Sequence, residues 1–338
     1  MPNTLLTGAN SFVGAHVINS LIAAGHTVVG TVRRENLINE IYDLHPEWKD
    51  NLTLIVVKDY ADQNSWDAVF TERSFDHIVH VAAPLLDNPA NTDYDLHYLK
   101  PTVEGNLSLL RSALAHQPTL KSIAVTGSIN AVTTGAPSEL AAPLTNKTWL
   151  PLSAADAREA KNPYYSYCSA KKEGELAIWD FVSTAKPHFG VTVLLPALIF
   201  GPPIQPLSKG LKSLNYSTNV IYSFINGTYD KVPDTTFPSF VDVRDLAEAH
   251  VAALTSEGAR DKRLLVDGKV VTYSDLVRGL GKVKALEGKL PAESGEDERV
   301  VKPVIEAEGD NAILGIKFRT VEETMRDTAE RLLELESA

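Results

Sequence analysis

"TLLTGANSFVG", residues 4–14, passes from a short apolar stretch through a turn of small residues into an amphipathic segment. Residues 3–7 (NTLLT) read as a buried strand. The run SFVGAHVINSLIAAG (11–25) puts Val13, Val17, Leu21 and Ala24 on one helical stripe and ends at Gly25. The turn between them spaces Gly8, Ser11 and Gly14 three residues apart, a glycine fingerprint with serine at its centre. Backbone N–H groups at a helix start attract a pyrophosphate, and small residues let the backbone approach it. The plain alternative is a tight turn with no ligand. Serine tolerates positive φ less well than glycine, but its hydroxyl offers a further hydrogen bond to a phosphate.

Outward from this unit the same alternation repeats. Apolar runs at 26–32, 52–58, 76–83, 120–127 and 191–200 read as further buried strands between helical patterns. Continuous apolar strands alternating with helices imply a parallel sheet covered on both faces. After residue 200 the pattern breaks into the proline-rich GPPIQP (201–206) and irregular sequence to about 238. A strand end and helix return at 240–254, an exposed loop is expected at 292–303, and a surface helix at 321–336. The predicted fold is α/β, a Rossmann-type doubly wound parallel sheet with a smaller, mixed α/β substrate-binding lobe. The first comprises 1–190 plus 239–268, the second 191–238 plus 269–338.

The bulk numbers exclude several classes. Hydrophobic residues make up 44% and charged residues 22% of 338, as in ordinary globular chains. No apolar run approaches the roughly 18–20 residues that cross a bilayer, and MPNTLLTGAN has no secretory pattern. The net charge of −11 and the lack of a basic cluster argue against nucleic-acid or membrane partners. Cys168 is the single cysteine, so no intrachain disulfide forms, which fits a cytoplasmic setting. Nine histidines show no metal-ligand spacing, so no metal is expected. His80 is expected to support a strand end, and Cys168 to be a packing residue.

The end of the second strand bears on the cofactor. It reads GTVRRE, with Arg33 and Arg34 where an NAD site carries an acid for the ribose hydroxyl. Guanidinium groups suit a 2′-phosphate, so NADPH is expected ahead of NADH; the alternative is two solvated surface arginines. Asp59 is placed either to meet the adenine amine or to cap the helix starting near Ser65. The expected cofactor contacts are Gly8, Asn10, Ser11, Phe12, Val13, Arg33, Arg34, Asp59, Tyr60 and Ala82.

A second constellation lies in YYSYCSAKKEGE (164–175). Tyr167 and Lys171 are four apart, on one face of a helix. A free phenol has a pKa of about 10, and moving it toward 7 takes about 4 kcal/mol. A nearby ammonium and a positively charged nicotinamide supply such stabilisation. Ser128, ending the strand LKSIAVTGS, is expected to polarise a substrate oxygen at the sheet edge. Ala170, Gly174, Ala177 and Phe181 form a face expected to lie against the sheet.

These motifs, with HVAAP (80–84), TGSINAV (126–132), the Pro196–Pro202 segment, FVDVRDLAEAH and LGIKFRTVEETMRD (314–327), resemble the extended short-chain dehydrogenase/reductase family. More narrowly, they are similar to its branch of yeast-type NADPH-dependent aldehyde and ketone reductases, dihydroflavonol reductase and cinnamoyl-CoA reductase. The resemblance implies Ser128, Tyr167 and Lys171 as the catalytic serine, tyrosine and lysine. It also implies cofactor contacts from Tyr167, Lys171, Pro196 and Ser217. Asn106 matches the family's further catalytic asparagine only loosely. Leu85, Leu86, Asn130, Thr133 and Phe200 are implied pocket residues. Tyr164 and Tyr165 either line the pocket or staple the helix start. The expected activity is hydride transfer to a small aldehyde or ketone, in a monomer or homodimer. The rivals are a sugar-nucleotide epimerase or dehydratase and a non-catalytic NADP sensor.

Overall fold

The computed structural model describes residues 1–83, 93–295 and 299–337. In chain order the first half contains β1 (Asn3–Thr7), α1 (Phe12–Ala23), β2 (Thr27–Val32), α2 (Asn36–Leu44), β3 (Leu52–Val56), α3 (Gln63–Glu72) and β4 (His77–His80). There follow α4 (Lys100–His116), β5 (Ser122–Thr126), α5 (Ala154–Ala160), α6 (Pro163–Ala185), β6 (Gly190–Pro196) and β7 (Leu198–Phe200). The remainder is α7 (Tyr216–Ile225), β8 (Phe240–Asp242), α8 (Val243–Thr255), β9 (Lys262–Val266), α9 (Tyr273–Leu280), α10 (Glu308–Leu314) and α11 (Val321–Ser337).

Seven strands form one sheet in the order β3-β2-β1-β4-β5-β6-β9, and every pairing is parallel. Alternate side chains serve opposite faces, as the two-residue strand period requires. Leu6, Val79 and Leu194 face a core shared with α1, α2, α8 and Leu314 of α10. Leu5, Ile78, Val193 and Leu195 face a second core shared with Trp66, Phe70, Leu109, Leu110, Ile178 and Phe181. Burying both faces explains why the strands read as continuous apolar runs.

Two expectations about organisation are corrected. The run 191–200 is two strands, not one. The chain leaves the sheet after Pro196, and β7 pairs with β8 in a separate two-stranded sheet. The division at residue 190 therefore moves: β6 sits between β5 and β9 and belongs to the large sheet. Likewise α10 packs on that sheet's layer through Leu314, inside the range 269–338 assigned to the smaller lobe. The smaller lobe has its own core, in which Phe200, Phe224, Phe240, Leu276 and Met325 meet.

The small-residue face of α6 is also corrected. A Cβ on Gly174 would lie 2.6 Å from Thr102 Cγ2, so the close approach is to α4, not to the sheet. Ala170 packs with Tyr94, Tyr98 and Ala157. Of the expected face Phe181 does meet the sheet, with Ile178 beside it.

Burial sets how the fold responds to acid. His16, His77, His80 and His250 are each pushed down to about 4 by burial, which disfavours the charged ring. A group lowered in this way gives stability that is full above its unfolded value of 6.5 and is lost as pH falls toward 4. Asp245 and Asp267, pushed up to about 6 by burial, act in the opposite sense over the same range. Four groups outweigh two. The melting temperature should therefore drop between pH 7 and pH 4.5 when followed by circular dichroism; a constant or rising value contradicts this.

Candidate functional site

The turn after β1 is built for close approach. Gly8 has φ +75°, a region costly for a residue with Cβ. A Cβ on Gly14 would lie 2.1 Å from the Gly8 carbonyl oxygen, so only glycine fits there. Ser11 does not need the freedom of glycine: its φ is −86° and it is the N-cap of α1. Its hydroxyl accepts from Gly14 N–H at 3.0 Å and donates to Gly8 O at 2.8 Å. The hydroxyl expected for a phosphate is thus spent inside the turn. That leaves the first-turn amides of Phe12 and Val13 without an intrahelical acceptor. Asn10 lies in the turn itself.

Two hydroxyls brace this turn, and sequence reading passed over both. Thr7 Oγ1 accepts from the amides of Val81 and Ala82, each at 3.0 Å, and its proton therefore goes to His80 Nδ1 at 2.9 Å. His80 does support the strand end, as a neutral ring. Thr31 Oγ1 accepts from Gly8 N–H and bonds the Tyr60 phenol at 2.8 Å. Both threonines end or nearly end a strand beside the turn, a signal visible only once strand order is known. Arg33 and Arg34 follow β2 directly and are exposed. Asp59 is not a helix cap, since Asp62 caps α3; it accepts from Ala61 N–H at 2.9 Å.

Tyr167 and Lys171 project from α6, whose start is fixed by Pro163 and the capping side chain of Asn162. The Lys171 ammonium lies 5.6 Å from the centre of the Tyr167 ring. Ser128 follows β5 by two residues, is 8% exposed, and lies near enough to the Tyr167 phenol to favour its charged form. Lys171 and Ala82 line one cavity of about 30 Å³ together with Asn106, Thr126 and Glu175. Ala82 in turn abuts Gly8, whose Cβ would meet it at 3.4 Å. The tyrosine, lysine and serine thus share one sheet edge with the glycine turn.

The electrostatics correct the expectation of an acidic phenol. Burial pushes Tyr167 up to about 12, and the neighbouring Ser128 hydroxyl offsets only part of this. Burial pushes Lys171 down to about 8. Desolvation disfavours both charged forms and outweighs their mutual attraction here. The phenol is still a competent donor to an alkoxide, whose conjugate acid has a pKa of roughly 16, close to that of water.

Other expected residues fall into place differently. Asn130 frames the site: its Nδ2 donates to Thr133 O at 3.2 Å and Tyr164 Oη at 3.1 Å, and its amide donates to Ser128 Oγ. Tyr164 also donates to Thr134 O at 2.7 Å, while its ring remains 37% exposed. Thr133 is fully buried and donates to Glu139, and Phe200 packs against Phe240 in the smaller lobe's core. Neither faces open space, so both are withdrawn as pocket residues. Ser217 begins α7 and donates to Ile199 O at 2.5 Å. Pro196 closes β6 beside Val266. Asn106 donates to Gly174 O, joining α4 to α6. Cys168 is buried packing. Leu85 and Leu86 lie outside the described residues. Among the described residues no cluster of metal-ligand type occurs. No described helix is long and apolar enough to cross a membrane.

The model of the NAD dependent epimerase/dehydratase family matches residues 4–266. The chain belongs to that family. An oxidoreductase of Schizosaccharomyces pombe is 32% identical, with 98% of this chain and 96% of that protein covered. The NADPH-dependent methylglyoxal reductase of Saccharomyces cerevisiae is 27% identical, with 99% of each covered. The crystal structure of Gre2 from Candida albicans in complex with NADPH superposes with a TM-score of 0.86 at 27% identity, covering 99% of both chains. The glycine cradle, the free first-turn amides and the two exposed arginines of this family member fit such a dinucleotide.

Replacing Arg33 and Arg34 together by alanine should weaken NADPH binding about 10- to 100-fold, the worth of one charged hydrogen bond or more, and leave NADH binding unchanged. Fluorescence titration of each cofactor reads this. Equal losses for both cofactors, or none, count against the assignment.

Proposed function

We propose that this chain is an NADPH-dependent carbonyl reductase acting on small aldehydes and ketones. The observation that carries the reading is the Lys171 ammonium 5.6 Å from the Tyr167 ring on one helix face, with Ser128 beside the phenol, at the sheet edge that holds the Gly8 turn. NADPH, held by the Gly8–Val13 turn and by Arg33 and Arg34, supplies the hydride that reduces the carbonyl carbon.

The protein's own groups do the rest. Ser128 Oγ holds the carbonyl oxygen within reach of Tyr167. Tyr167 Oη releases its proton to that oxygen as negative charge builds there. Although burial raises the phenol above its ordinary value, it remains more acidic than the alcohol that forms, so the transfer is downhill. Lys171 stabilises the phenolate left behind. From an aldehyde the product is a primary alcohol, and from a prochiral ketone a secondary alcohol of one hand. A cytoplasmic setting and a monomer or homodimer complete the proposal. The epimerase reading is less well supported: Lys209, Lys212 and Lys231, the cations available for a diphosphate, are all exposed.

Consumption of NADPH with a panel of aldehydes, ketones and diketones, followed at 340 nm, tests the activity. Tyr167→Phe should lower kcat by about 10²- to 10⁴-fold while NADPH still binds within a few-fold of the parent. A phenylalanine variant with full turnover removes Tyr167 from the proposal.

A further inference from the structure

The sequence pairs Lys171 with a second lysine that the reaction does not use. Lys172 is 9% exposed, and its side chain turns away from the site into the body of the protein. Its ammonium donates to Leu152 O at 2.5 Å and Leu150 O at 3.4 Å, with Glu173 Oε1 at 3.5 Å. A buried ammonium costs heavily unless its donors are met, so this arrangement is specific.

The segment it holds leads back to Ser128. Leu150 N–H donates to Ala131 O at 2.9 Å, and Ala131 N–H donates to Ser128 O at 3.0 Å. Leu150 is 2% and Ala131 1% exposed, so neither peptide group has water as a substitute partner. Lys172 thus grips Leu152 O closely and Leu150 O at the outer limit of a hydrogen bond, and Leu150 is the residue whose amide fixes the turn after Ser128. Arg263 secures the same segment upstream, donating to Asn146 O and Thr148 O while it pairs with Glu175 of α6. At the start of α6, Tyr164 is tied to Asn130 on the Ser128 turn. Tyr167 lies between the Tyr164 tie and the Lys172 tie.

We propose that Lys172 is a positioning residue that sets the spacing between Ser128, in the turn after β5, and Tyr167 on α6, through the Leu150–Leu152 segment. The inference rests on the carbonyl-reductase reading, because that spacing matters only where both hydroxyls meet one oxygen. Lys172 touches neither the cofactor turn nor the reacting groups. Its removal therefore acts on the chemical step and spares dinucleotide binding.

The test compares the parent chain with Lys172→Met and Lys172→Arg, measuring kcat for a ketone that the parent reduces and Kd for NADPH by fluorescence. Failure of the parent chain to turn over any carbonyl defeats the underlying reading and the inference with it. With an active parent, Lys172→Met should lose about 10- to 100-fold in kcat, keep NADPH affinity within about threefold, and be substantially rescued in Lys172→Arg, which restores charged donors. A kcat within twofold of the parent in the methionine variant overturns the inference, as does a loss of NADPH affinity equal to the loss of kcat. So does an arginine variant no better than the methionine one. If Lys172→Met does not fold, Lys172→Gln, which keeps an amide donor for Leu152, is read by the same split. Its own failure to fold also overturns the inference, since the lysine would then serve only stability.

Discussion

Desolvation of one phenol and one ammonium on the same face of α6 is the constraint around which the site is arranged. Water would hold Tyr167 and Lys171 near their ordinary values. Partial burial in the surrounding protein drives them apart, the phenol up to about 12 and the ammonium down to about 8. The phenol keeps its proton until a base as strong as a forming alkoxide appears. The ammonium keeps a positive charge at neutral pH with little reserve. Burial therefore makes the tyrosine a late, conditional donor rather than a generally acidic one.

That burial has to be built, and the helix packing shows how. Gly174 lets α4 cross α6 closely, Ile178 and Phe181 anchor α6 on the sheet, and Asn162 with Pro163 fixes where the helix begins. Ser128 arrives independently, from β5. Besides their shared core, the two elements are tied by side-chain and peptide bridges, at Asn130–Tyr164 on one side and Lys172–Leu150 on the other. A site assembled from separate elements depends on such ties as much as on its reacting groups.

Much of this was legible in the sequence. The strand–turn–helix unit and the alternation of buried runs specified the parallel sheet, because a two-sided core leaves an uninterrupted apolar signature in each strand. The i, i+4 pair of Tyr167 and Lys171 specified a shared helix face. What escaped was set by tertiary contact. The kink after Pro196 that hands the chain to the second sheet leaves no break in the apolar run 191–200. The Ser11 hydroxyl faces the turn rather than a ligand because the local backbone never takes positive φ. The close approach at Gly174 is to a helix, and sequence does not say which neighbour a small residue admits. Thr133 and Phe200 were carried in by resemblance, and packing turned them inward.

The most direct test of the burial argument is the titration of Lys171 itself. Proton-exchange-protected ammonium resonances, assigned with a Lys171→Arg variant, can be followed by nitrogen-detected NMR across pH 6 to 11. A midpoint near 8 is the result expected for an ammonium stripped of water beside Tyr167. A midpoint at the ordinary lysine value of about 10.4 would mean the side chain is solvated and would contradict the account.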